Sequence, residues 1–196
     1  NIPTQCVKFK NVERSPKGYQ TNVLMKMNSK LGGVCHTLAQ RAPPVRDSEG
    51  NVESVFQFPP QSISWFFDEP CMVVGVDVNH PDTAGGKDTM SIAAMVASMD
   101  GMLGQYCAHI ATCDAQVEPV ETLFNGMGAL LDTFYRRNGR FPSRVLIYRD
   151  GLSESQFKSC INSEMSAFKK AAQERGIAPN AMQFCVVVCQ TRHHTP

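Results

Sequence analysis

The sequence predicts an α/β fold, and three observations carry that prediction. Short valine-rich apolar runs bounded by turn residues recur after residue 70, as strands do. Two longer stretches place their apolar residues at helical spacing. The composition is globular: 196 residues, 42% hydrophobic and 19% charged, suit one full-sized domain or one plus a fragment and exclude disorder. The longest candidate membrane segment, Met72 to Val76, is broken by Asp77 and falls far short of the roughly 20 residues a spanning helix needs.

The first element is a basic helix over 18–31. Val23, Leu24, Met27 and Leu31 form its apolar stripe, and Gly32-Gly33 stops it. Asn22, Lys26 and Lys30 follow one another at intervals of four along another face, a pattern that suits a solvated surface or an anion site. Residues 41–70 hold Ala42-Pro43-Pro44, Ser48-Glu49-Gly50 and Phe58-Pro59-Pro60, which predicts an extended joint rather than regular structure. Residues 72–78 read as a strand, and 91–98 with 103–112 as an antiparallel hairpin. Pro119 opens a helix whose stripe runs from Val120 through Leu123, Met127, Leu130 and Leu131 to Phe134 and ends before Asn138-Gly139. Residues 144–148 form a compact strand ending at Arg149-Asp150-Gly151. Ser153 and Gln156 make a capping-box signature for a helix with Phe157, Ile161, Phe168 and Ala171 on one face and Gly176 as its stop. Residues 182–189 read as a last, buried strand. The order is three strands, helix, strand, helix, strand, behind a basic helix and a linker.

The net charge of +1 hides a division along the chain. Residues 1–50 carry a net +5, residues 51–135 a net −10 and residues 136–196 a net +6. That arrangement suits a site gathering divalent cations in the middle and polyanion on either side, or equally a solvated surface of mixed sign. Arg136, Arg137, Arg140, Arg144 and Arg149 are likewise either a duplex contact or solvated surface. Eight cysteines include no CxxC pair, so zinc-ribbon and dithiol-redox readings fail on spacing. The chain opens Asn1-Ile2-Pro3-Thr4 without a charged-then-apolar leader, which predicts a reduced cytoplasmic or nuclear compartment and no membrane partner. Both ends read as cut from something longer.

Three carboxylates stand where secondary structure alone would not choose them. Asp77 interrupts an apolar strand, Glu118 immediately precedes a helix, and Asp150 ends a strand ahead of a capped helix. An acid inside an apolar strand is costly unless it is paired or ligates a metal. Carboxylates at adjacent strand ends suit hard divalent cations, two of which about 3.5–4 Å apart can activate water and stabilise a departing phosphodiester oxygen. The bland alternatives are a turn at Asp150-Gly151, a helix N-terminal acid at Glu118 and a satisfied core acid at Asp77. His36, His80, His109, His193 and His194 read as structural.

The motifs Thr4-Gln5-Cys6-Val7, Asn22 through Lys26 to Lys30-Leu31-Gly32-Gly33-Val34, Gly75-Val76-Asp77-Val78-Asn79-His80-Pro81, Ser98-Met99-Asp100, Tyr148-Arg149-Asp150-Gly151-Leu152-Ser153-Glu154-Ser155-Gln156-Phe157 and Arg192-His193-His194-Thr195 occur in that order. With them the chain closely resembles the Argonaute family. The resemblance implies the C-terminal part of a MID domain over 1–40, a connecting segment over 41–70, and over 71–196 most of a PIWI domain with a ribonuclease H-like fold, a mixed sheet flanked by helices. It implies a small guide RNA whose 5′-phosphate is held by Gln5, Asn22, Lys26 and Lys30. It further implies cleavage of complementary target RNA in gene silencing, with Asp77, Glu118 and Asp150 holding two Mg²⁺ or Mn²⁺ ions and a fourth His or Asp lying beyond Pro196. Tryptophan-motif silencing proteins are the protein partners that the family suggests. The alternative is a guide-RNA binder that silences by recruiting partners without cutting.

Overall fold

Alternation along a central strand organises the structure. In Cys71–Asn79 (β5), Met72, Val74, Val76 and Val78 are buried while Gly75, Asp77 and Asn79 are exposed, the two-residue period of a strand packed on one face only. A computed structural model describes residues 3–36, 40–41, 45–46, 48–49, 52–53, 56–57, 61–79, 90–114, 120–150, 152 and 157–189. The chain divides into two units: Asn1–Gln61 with the turn Met102–Gln105, and Ser62–Gly101 with Tyr106–Pro196.

The second unit holds a five-stranded mixed sheet. Beside β5 run Met90–Ser98 (β6), Tyr106–Asp114 (β7), Arg144–Asp150 (β8) and Gln183–Cys189 (β9), in the spatial order β7-β6-β5-β8-β9. The β5–β6 and β6–β7 pairs are antiparallel; β5–β8 and β8–β9 are parallel. Helices Val120–Asn138 (α3) and Phe157–Gln173 (α4) supply the crossovers that parallel pairing requires. Their apolar stripes bury Leu123, Met127, Leu130, Leu131, Phe134, Phe168 and Ala171 against Met72, Val74, Val76, Met95, Val145 and Ile147. At Gly126 an added Cβ would lie 2.6 Å from Met95 Sδ and 3.0 Å from His109 Cδ2, so the absent side chain is what lets α3 approach β6 and β7. His109 is thereby a packing residue. The turn after α4 is also clamped to α3: Arg175 donates from Nε and Nη2 to the two carboxylate oxygens of Asp132, each at 2.7 Å. Those hydrogen bonds hold the Asp132 carboxyl below its ordinary range.

The first unit contains Phe9–Arg14 (α1), Tyr19–Lys30 (α2) and four two-residue strands, Gln40–Arg41 (β1), Val45–Arg46 (β2), Val52–Glu53 (β3) and Phe56–Gln57 (β4). Helix α2 ends where Gly32 takes φ 84° and the Gly33 amide donates to the Asn28 carbonyl at 2.8 Å.

Several expectations need correction. Residues 41–70 are not simply extended: β1 pairs with β4 and β2 with β3 in nested antiparallel ladders, and Gln61–Phe66 is a 3₁₀ helix. Helix α1 was not predicted, since six residues show no complete stripe. The α2 stripe is not a core face, for α2 has no buried residue and Leu24 is 63% exposed. Strand β7 begins at Tyr106 rather than at 103, because Leu103 takes a left-handed φ of 55° that no strand residue adopts. The last strand, β9, is an edge, and Cys185 has the strand parity of Cys189 on the open face, so it is exposed where burial was expected. The capping-box residues Ser153 and Gln156 lie outside the described residues. No helix among the described residues is long and apolar enough to cross a membrane.

Phe168→Ala removes a fully buried ring and should destabilise by about 3–5 kcal/mol in denaturant titration, whereas Ile110→Thr, on the open sheet face, should change stability by less than about 1 kcal/mol. Burial pushes the Cys71 thiol up to about 11, against the lowering effect of Arg144, so it stays protonated at pH 8. In a timed iodoacetamide reaction read by mass spectrometry, exposed Cys6 and Cys185 should be modified well before Cys71.

Candidate functional site

The open sheet face carries two of the three predicted carboxylates side by side. Strands β5 and β8 are parallel with Val76 opposite Arg149, and one residue further along that register Asp77 stands beside Asp150. Neighbouring strands lie about 4.8 Å apart, which puts both acids at the carboxyl ends of adjacent strands within reach of a common ligand. Both line one open concavity with Gly75, Ala94, Val96, Tyr148 and Cys189. Asp77 is exposed and Asp150 half-buried. Asp77 is therefore not an acid sunk in a core: the valines on either side face the helices, and it faces the other way. Hard oxygen donors in this arrangement fit a divalent cation such as Mg²⁺ or Mn²⁺, which keeps several waters and needs only one or two protein carboxylates.

Glu118 and Pro119 lie outside the described residues, as do His193 and His194. Among the described residues no group of three or more His, Cys, Asp or Glu side chains could hold a metal ion. Asp77 and Asp150 are the two members of the predicted trio that lie among the described residues.

In the first unit, Asn22, Lys26 and Lys30 occupy successive turns of α2 and all three are exposed. The Lys30 ammonium donates to the Thr4 carbonyl, which holds the segment before α1 against the C-terminal end of α2. Gln5, the next residue, is half-buried there, and its side-chain amide donates to the Cys6 carbonyl at 2.8 Å. Residues distant in sequence therefore meet, and an amide, an asparagine and two ammonium groups share one small unit. Point charges and amide donors of this kind suit a phosphate dianion.

The arginine group does not hold together. Arg136, Arg137 and Arg140 are exposed around the end of α3, and Arg144 begins β8 at the end opposite Asp150. Arg149 is no surface residue at all: it is 3% exposed and paired with Glu164, equally buried, so it offers nothing to a duplex. Two signals could have found this pair. Arg149 has the strand parity of Val145 and Ile147, which are buried, and Glu164 sits on the helix stripe between Ile161 and Phe168.

Comparison with known proteins agrees with the architecture. The Piwi domain family matches residues 1–196. The MID-PIWI domains of N. crassa QDE-2 superpose with a TM-score of 0.65 at 25% identity, over 87% of this chain and 43% of that one. Kluyveromyces polysporus Argonaute with a guide RNA gives 0.70 at 25% identity, over 96% of this chain and 20% of that one. Drosophila Piwi, at 21% identity, gives 0.62 over 95% and 22% and bears on the fold alone. The chain spans less than half the length of each of these structures.

Because Asp77 is exposed, its replacement by Asn should leave the fold intact. Thermal unfolding of Asp77→Asn should match the parent to within a few degrees, which separates loss of a function from loss of the structure.

Proposed function

This chain belongs to the Piwi domain family of Argonaute and Piwi proteins, its sheet is the ribonuclease H-like PIWI fold, and from that premise we propose that it binds a small guide RNA and cuts the complementary target RNA. The observation that supports cutting is the placement of Asp77 and Asp150 together at the carboxyl ends of adjacent parallel strands. The support for guide binding is family membership, with the phosphate-compatible set of Gln5, Asn22, Lys26 and Lys30.

In this reading Asp77 and Asp150 would hold the divalent ions from the sheet, and Glu118, which precedes α3 in the sequence, would be the third carboxylate. Two such ions, when bound, supply a more acidic water and a counter-charge for the leaving oxygen of the scissile phosphodiester. The protein's own part is to keep negative oxygens fixed at one point on the sheet, so that positioning is done before substrate arrives. Lys26 and Lys30 neutralise the guide's 5′-phosphate while Gln5 and Asn22 donate to its oxygens. Sequence is read by guide–target pairing rather than by side chains, as in other guided systems.

The alternative reading is a guide-loaded binder that silences through partners without cutting. The test is cleavage of a labelled, fully complementary RNA by the full-length protein carrying a 5′-phosphorylated guide and Mg²⁺. Slicing predicts a single cut at a fixed distance from the guide's 5′ end, lost with chelator and in Asp77→Ala. Tight target binding without a cut selects the binder instead. Under either reading, Lys26→Ala with Lys30→Ala should weaken binding of a 5′-phosphorylated guide about tenfold or more and leave a 5′-hydroxyl guide little changed, measured by filter binding.

A further inference from the structure

Beneath Asp150 lies a polar contact that the proposed chemistry does not use. Arg149 precedes Asp150 on β8, and the pleat sends its side chain to the opposite face, between the sheet and α4. There its Nε donates to both oxygens of Glu164, each at 3.0 Å, and its Nη1 donates to the main-chain carbonyl of Asp150. Each side chain is only 3% exposed.

Such a pair is a poor device for stability alone. Removing two charges from water costs about as much as their mutual attraction returns, and apolar side chains of similar volume would often serve as well. What an apolar pair would lack is the second arm. The guanidinium is a rigid planar fork, so with Nε fixed on a helix residue, Nη1 has a defined direction, and it points at the carbonyl of the residue that carries the acid. A main chain held at that carbonyl leaves little play in the Cα–Cβ bond of the same residue.

We propose that Arg149 and Glu164 are positioning residues for Asp150: α4 carries Glu164, Glu164 orients Arg149, and Arg149 fixes the backbone from which the Asp150 carboxylate faces Asp77. The inference rests on the proposed role of these two aspartates in holding divalent ions. Mg²⁺ tolerates little departure from octahedral geometry, and groups that orient metal ligands typically contribute 10–100-fold to affinity or activity.

The test uses the full-length protein with Arg149→Lys and, separately, Glu164→Gln, each of which keeps a polar group facing its partner. If the pair positions Asp150, Mn²⁺ affinity measured by electron paramagnetic resonance should fall about tenfold or more in both variants, with kcat for target cleavage falling alongside and KM for target unchanged. Amide exchange should quicken over 148–150 and not over 145–147. Folded variants with wild-type Mn²⁺ affinity, kcat and exchange would overturn the proposal and leave a merely structural pair. If Arg149→Lys does not fold, Glu164→Gln decides on the same terms. A wild-type protein that neither binds Mn²⁺ nor cuts overturns the proposed function instead; the exchange comparison then decides the positioning claim by itself.

Discussion

Two parallel strands lying in register, β5 and β8, are the constraint on which the rest depends. Their inward residues, Val74 and Val76 on one and Val145 and Ile147 on the other, are buried beneath α3 and α4. Once these are inside, the pleat leaves no choice for the residues between them: Gly75, Asp77, Tyr148 and Asp150 must face the open side. A slip of one residue in either strand would expose its apolar set and drive a carboxylate into the core. The hydrophobic packing of their neighbours is what brings the acids to one face of the sheet.

Much of this fold is legible in the sequence because it is built from strong periodicities. The stripe from Val120 to Phe134 and the valine run around Asp77 define a helix and a strand whatever surrounds them. What is less legible depends on neighbours. Residues 183–189 are apolar enough for a central strand, yet topology puts them at an edge. The short ladders within 40–57 are held by backbone pairing that leaves no pattern in side chains. The α2 stripe has the right spacing, and spacing alone does not say that anything covers it.

The candidate site divides along the same line. That Asp77 and Asp150 lie at strand ends follows from local pattern; that they are neighbours follows from pairing β5 with β8, which no local pattern specifies. Arg149 shows the converse. In a run of arginines it looks like surface, but its parity with Val145 and Ile147 assigns it to the core, and a buried arginine requires an acid, which α4 supplies. Charge along the chain is similarly a poor map of charge in space: Arg144 and Asp150 belong to one strand, and its length holds them apart.

The connection between β5 and β8 also has a consequence in time. The whole β6–β7 hairpin and α3 intervene between them, so their pairing must close a long loop, whereas the hairpin forms between close sequence neighbours. Loop-closure entropy and contact order place such a parallel pairing late in folding. The hairpin and helices can therefore gather while Asp77 and Asp150 are still far apart. Until β5 and β8 pair, a nascent or partly unfolded chain carries both acids without carrying the site.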